Sequence, residues 1–175
     1  LEEFALRAPG MTPKRYVQML RARGILGLLV APLPKGERIL DLDLRDFAVV
    51  GTDMSVASPP IERVSNDHFQ SALLAVEQCR ALGYRRIGFV IGRNVSERLE
   101  NRWLAGCLLA LQQTPPAQRV APLLADDTEA IPAALPAWCR KAKPDVVIMS
   151  ELDPNGHYAL PPAVGMVSLG LEEQA

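Results

Sequence analysis

The segment VSNDHFQSALLAVEQCRALGYRRIGFVIG, from Val64 to Gly92, constrains the fold more than any other. It contains in order the start of a helix, its stop and an all-apolar strand. Asn66 or Asp67 can accept the first free backbone N–H groups of a helix. Phe69, Ala72, Leu73, Val76 and Cys79 then recur at the spacing that keeps one helical face apolar. Gly83 suits the left-handed position just past a helix end. Ile87 to Ile91 is short, uninterrupted and apolar, as expected of a parallel strand covered on both faces. A helix that feeds such a strand is one turn of an α/β sheet.

The rest of the chain alternates in the same way. Glu2 to Leu6 reads as a weak strand. Met11-Thr12-Pro13 starts a helix with Tyr16, Met19 and Leu20 on its buried stripe and Gly24 at its end. Leu28 to Val30 and Phe47 to Gly51 read as strands, separated by a Pro- and Gly-bearing loop and a charged, poorly periodic stretch to Asp46. Ser58-Pro59-Pro60 interrupts regular structure before Val64. After helix Asp67 to Leu82 and strand Arg86 to Ile91, the pattern predicts one helix from Ser96 to Gln113 with Leu104, Cys107, Leu108 and Leu111 buried. Strands at Val120 to Leu124, Val146 to Ser150 and Val164 to Leu169 follow, with a helix from Ile131 to Lys141 and a turn at Asp153 to Gly156. Such alternation implies parallel sheets joined by right-handed crossovers.

The blocks ARGILGLLVAP, FAVVGTD, LGYRRIGFVIG, WLAGCLLAL, KPDVVIMS and LPPAVGMVSL occur in that order. Together they resemble the effector-binding domain of LacI/GalR-family transcription regulators, over most of the chain. The resemblance implies a two-lobed, periplasmic-binding-protein-like (type I) α/β fold, with parallel sheets flanked by helices and incomplete at both ends. Residues 1–64 would be a partial N-terminal lobe lacking its opening strand and helix, and residues 65–175 the C-terminal lobe. It further implies a small-molecule effector, foremost a sugar, held between lobes, and a homodimer. Operator DNA would be reached only through a headpiece absent from this sequence, whose start at Leu1 reads as an interior point of a longer chain.

In open α/β sheets ligands bind at the carboxyl ends of the strands, where loops converge. The loops to examine are Ala31 to Pro34, Gly51 to Ser55, Gly92 to Arg102 and Ser150 to Gly156. Asp53 follows FAVVGT, where the resemblance places an effector-contacting acid. A carboxylate there can accept two hydroxyl hydrogen bonds, and the plain alternative is an Asp that caps its own loop. The polar run from Arg93 to Trp103 offers Asn94, Arg98, Asn101 and Arg102 as ligand-facing groups. The family's effector-contacting Arg, three residues before a helical Gly, is replaced here by Trp103 before Gly106. Its indole face can stack on a sugar ring, and the alternative is packing into the core with Cys107 and Ala110. Asp153 stands where the family loop often carries Asn-Asp, whereas Gly170 takes the place of a common Asp.

Composition removes several other classes. A net charge of −1 argues against this segment gripping a phosphate backbone by itself, so Arg85-Arg86 and Lys141 with Lys143 read as solvated element ends. No apolar run approaches the ~20 residues a membrane helix needs, and no signal peptide is visible, so a cytoplasmic location is expected. Cys79, Cys107 and Cys139 are too scattered for a disulfide framework or a zinc knuckle and read as buried apolar residues. His68 and His157 have no nucleophile beside them, and neither a G-x-G-x-x-G turn nor a P-loop occurs. No catalytic residue, metal or cofactor is expected. The runner-up class is a periplasmic sugar-binding protein of a transporter, which uses the same architecture and would be preceded by a signal peptide.

Overall fold

Thr12 Oγ1 accepts a hydrogen bond from the backbone N–H of Arg15, and Pro13 takes the first helical position, where its missing N–H costs nothing. The first helix, α1, therefore runs Pro13–Ala22. The computed structural model describes residues 2–6, 9–150 and 158–170, and the chain divides into two compact units, Leu1–Ser65 and Asn66–Ala175.

In the first unit α1 buries Tyr16, Val17 and Leu20, with Met19 half-buried. Contrary to expectation, residues 2–6 form no strand. They dock on α1 through side chains instead: the Tyr16 hydroxyl donates to the Phe4 carbonyl, and Arg23 lies 5.3 Å from the Phe4 ring centroid and pairs with Glu2. Strands β1 (Gly27–Val30), β2 (Ala48–Gly51) and β3 (Glu62–Arg63) form a parallel sheet in that order. The two polar residues of β3 carry no periodic signal of their own, and pairing with Val50 and Gly51 makes them a strand. Leu33, Leu40 and Val56 form a small core beneath loops. Leu26 and Leu29 remain 77% and 65% exposed.

The second unit opens with α2 (His68–Ala81), capped by Asp67 Oδ1, which accepts from Gln70 N at 3.0 Å. Gly83, at φ +95°, turns the chain out of the helix. Then come β4 (Ile87–Gly92), α3 (Arg93–Arg98), α4 (Arg102–Gln112), a single 3-10 turn Pro116–Gln118, β5 (Leu123–Ala125), α5 (Ile131–Ala142), β6 (Val146–Met149) and β7 (Gly165–Ser168). The sheet is wholly parallel, in the order β5-β4-β6-β7. Side chains alternate across it. Phe89, Ile91, Val146 and Ile148 pack on one face with α2 and α4, while Val90, Val147 and Met149 pack on the other with α5. Each such side chain removed from water is worth about 1.5–3 kcal/mol.

Two expectations about the helices need correction. The single helix predicted from Ser96 to Gln113 is two, because Glu100 and Asn101 adopt left-handed conformations at φ 53° and 58°. Asn101 N donates to Ser96 O at 2.7 Å and Ser96 Oγ donates to Asn101 Oδ1 at 2.8 Å, which closes α3 in the manner of a left-handed C-cap, a conformation Asn tolerates. The buried stripe of α4 is also turned from its predicted register. Trp103, Gly106, Cys107 and Ala110 face inward, whereas Leu108 is exposed and Leu104 and Leu111 are half-buried.

Arg86 is no solvated edge either. Its guanidinium donates to the carbonyls of Lys143, Ala117 and Ala142 at 2.9, 2.8 and 2.6 Å. Asp145 accepts from the backbone N–H groups of Arg85 and Arg86 beside it. Helix ends leave carbonyls without intrahelical partners, and cationic donors satisfy them well. Arg80 and Arg119 do the same for the end of α4, reaching Ala110, Gln112 and Thr114.

Candidate functional site

The strands of the second unit's sheet end together at Gly92, Ala125, Met149 and Ser168. This is the edge where a parallel sheet offers loops and helix N-termini to a ligand. At Gly92 a Cβ would stand 2.5 Å from both Asn94 Oδ1 and Thr128 N, so only glycine admits the β5 loop this close. Asn94 Oδ1 accepts from Val95 N at 2.9 Å and from Thr128 Oγ1 at 3.3 Å. Asp127 Oδ1 accepts from Ala130 N at 2.8 Å at the start of α5. The α3–α4 junction adds the Ser96–Asn101 pair.

The proposed site residues separate in this frame. Asn94 and Asn101 are brought into hydrogen-bonded pairs with Thr128 and Ser96, neither of which was singled out from sequence. Arg102 is exposed and tied to Glu100 at 3.0 Å, and Arg98 is half-buried in the last turn of α3. Trp103 requires a correction. It is 7% exposed and packed with Cys107, Ala110 and Phe89, and the His68 ring meets it edge-on with centroids 5.0 Å apart. Its indole face is spent on the core, because the α4 stripe rotates it inward. Asp153 lies outside the described residues.

Ser150 opens one of the loops marked for examination, although only Asp153 was named from it as a site residue. It follows β6 directly, is 2% exposed, and its Oγ has no hydrogen-bond partner. A serine closing the apolar run VVIM was its only signal.

Asp53 belongs to the first unit, at the end of β2. Its Oδ1 accepts from both Ser55 N (2.9 Å) and Ser55 Oγ (2.6 Å), and Ser55 Oγ in turn accepts from Leu33 N at 2.8 Å. The carboxylate thus fastens its own loop to the one after β1, which is the capping role.

Among the described residues no cluster of His, Cys, Asp and Glu could hold an ion. The three cysteines are buried and free, and burial pushes the Cys107 thiol up to about 12, far from a reactive thiolate. An apolar cavity between Phe89, Cys107 and Val120 measures about 20 Å³, room for one water. Among the described residues no helix is long and apolar enough to cross a membrane.

No protein-family model and no curated protein matches this sequence. Solved structures do match in fold. A sugar-binding transcriptional regulator of the LacI family from Escherichia coli, in complex with phosphate, is 18% identical with a TM-score of 0.55, over 89% of this chain and 60% of that one. A LacI transcriptional regulator from Lactobacillus brevis is 18% identical at a TM-score of 0.57, over 92% and 66%. A periplasmic binding protein/LacI transcriptional regulator from Alkaliphilus metalliredigens QYMF, in complex with D-xylulofuranose, is 15% identical at 0.52, over 89% and 60%. The chain has the periplasmic-binding-protein-like α/β fold of these effector domains and spans about three-fifths to two-thirds of their length.

Proposed function

We propose that this chain is the effector-sensing part of a LacI/GalR-like DNA-binding transcriptional regulator. It binds a small molecule, foremost a sugar, at the carboxyl ends of its strands, and so alters operator affinity through a headpiece outside this sequence. The observation that carries the reading is the shared fold together with the amide- and hydroxyl-bearing edge of the second unit, Asn94, Thr128, Ser96 and Asn101. Amides and hydroxyls that both donate and accept are suited to a polyol. The mechanism is linkage: an effector that binds two conformational states unequally shifts their populations, and a homodimer converts the shift into a changed fit to operator half-sites.

The same reading makes the chain a cytoplasmic binding module without catalysis. Titration with a panel of pentoses and hexoses, followed by calorimetry and thermal melting, is the test. A sugar present at a hundred times its Kd stabilises the folded chain by about 2.7 kcal/mol. The absence of any heat or melting shift across the panel would overturn the sugar reading, and conversion of a bound sugar to product would overturn the non-enzyme reading. The transporter-receptor alternative draws on the neighbour described as a periplasmic binding protein/LacI transcriptional regulator, and an upstream signal peptide in the reading frame would favour it.

A further inference from the structure

At the amino ends of the second unit's strands, the end of the sheet away from the candidate site, charge is almost all of one sign. Segments 80–86, 113–120, 140–146 and 161–165 form this edge, and Asp145 is their one carboxylate. Arg85, Arg86, Arg119, Arg140, Lys141 and Lys143 stand against it, in a chain whose net charge is −1. At the carboxyl edge both signs mix, as in the Arg102–Glu100 pair.

The cluster is held together by hydrogen bonds. The Arg86 guanidinium takes the carbonyls of Ala117, Ala142 and Lys143, which draws the approach to β5 and the end of α5 against the start of β4. Asp145 spends its two oxygens on the backbone N–H groups of Arg85 and Arg86. Arg86 and Arg119 answer helix-end carbonyls, and so offset the partial negative charge that α5 and α4 bring here. Arg85, Arg140, Lys141 and Lys143 are exposed, and among the described residues their side chains have no hydrogen bond or ion pair.

Leu82 adds an apolar group to the same edge. Gly83 N donates to Arg80 O at 3.0 Å and Tyr84 N to Cys79 O at 3.1 Å, the two bonds that close a helix through a left-handed glycine. This closure turns Tyr84 back onto the core and leaves Leu82, at the cap, 76% exposed. A single exposed leucine is ordinary on a protein surface. One set beside unpaired cations defines a kind of partner.

We propose that this edge docks an acidic peptide segment of a partner protein, with Leu82 meeting an apolar side chain and the unpaired cations meeting carboxylates. Arginine and lysine clusters recognise acidic segments through charge-assisted hydrogen bonds. A nucleic-acid backbone would use the cations and leave Leu82 idle, so the leucine favours the peptide. Exposed charges are individually weak and screened over about 10 Å at 0.1 M salt, so the binding depends on several acting together. The edge lies at the other end of the strands from the candidate site, and the inference stands apart from the effector reading.

Fluorescence anisotropy with the 175-residue chain at low and high salt tests it. The probes are a labelled short peptide of aspartates and glutamates around a central leucine, the same peptide with serine for that leucine, and a random-sequence DNA duplex. The leucine peptide should bind most tightly and weaken as salt rises. Leu82→Ser should weaken it about three- to tenfold and leave the serine peptide unchanged, whereas Lys141→Glu with Lys143→Glu should weaken both peptides about tenfold or more. These side chains are exposed, so the melting temperature should hold in each variant; should the double variant melt lower, Arg140→Ala with the same probes decides. Equal binding of the two peptides, or tighter binding of DNA, would overturn the acidic-apolar partner. Affinity indifferent to the lysine variants, or binding of no probe, would overturn the docking edge, and either result leaves sugar binding by the same chain as a separate question.

Discussion

The two units contain strands of similar apolar content and bury them very differently. In the second unit VVIM of β6 is buried at every position, whereas in the first GLLV of β1 alternates between exposed and half-buried. The second sheet has α2 and α4 on one face and α5 on the other. The first unit buries Tyr16, Val17 and Leu20 of α1 and a separate small cluster, Leu33, Leu40 and Val56, beneath loops that the Asp53–Ser55–Leu33 hydrogen bonds help to hold. Apolar composition sets what a strand can bury, and its neighbours decide what it does bury. One unit depends mainly on packing, the other more on fixed polar contacts.

The sharpest way to break that comparison is to shorten a leucine in each unit, one buried and one on the exposed strand. Leu135→Ala in α5 removes a residue with no exposed surface and should cost about 3–5 kcal/mol. Leu29→Ala in β1 should stay within about 0.5 kcal/mol. Urea denaturation checks both, with fluorescence reporting the second unit, since Trp103 and Trp138 both lie there, and circular dichroism reporting the whole. Equal costs would erase the distinction.

A smaller effect is expected from adding one methyl group. At Gly106 a Cβ would stand 2.6 Å from the Phe69 carbonyl and 2.9 Å from Ala72 Cβ, so Gly106→Ala should wedge α4 from α2 at about 1–3 kcal/mol. At Gly27 in β1 the nearest atom is 3.8 Å away, and the same change should be nearly silent in the urea midpoint. Ser55→Ala tests the opposite dependence. It leaves the buried Leu33 N–H without its acceptor and should cost about 1–2 kcal/mol, a polar effect in the unit with less packing.

The smallest effect is electrostatic. Hydrogen bonds from the Arg45 guanidinium, with weaker help from Arg21, lower the Asp43 carboxyl from 3.8 to about 2. The folded value lies below the unfolded one, so the pair stabilises the first unit above pH 4 and its contribution is lost as pH falls through about 2. Asp43 is solvent-exposed, so the change is slight and weakens with salt. Comparing the acid melting of Asp43→Asn with the unmodified chain, from pH 4 to 2, isolates it.

What could be read in the sequence follows the same division. The α2–Gly83–β4 segment was legible because its cap, apolar stripe, stop and strand are all local signals. β3 was not, because only a neighbouring strand makes Glu62 and Arg63 extended. The α3–α4 break was hidden because no glycine or proline marks it, and it depends on how Ser96 and Asn101 meet. At the candidate site, Asn94 and Asn101 stood out as polar residues in a polar loop. Thr128 and Ser150 did not, since their importance comes from being buried at strand ends that only the sheet brings together. Trp103 was conspicuous, but residue type could not say whether its face would be available.

The Arg86 guanidinium has a consequence in time as well as in energy. Its three carbonyl partners lie 31, 56 and 57 residues further along the chain, so it can close only after β5, α5 and the approach to β6 have assembled around it. If it shuts last, the latch contributes to the native state and not to the folding transition state. Replacing Arg86 by alanine should therefore leave the refolding rate almost untouched and accelerate unfolding, so that the residue governs how long the second unit stays folded rather than how quickly it gets there.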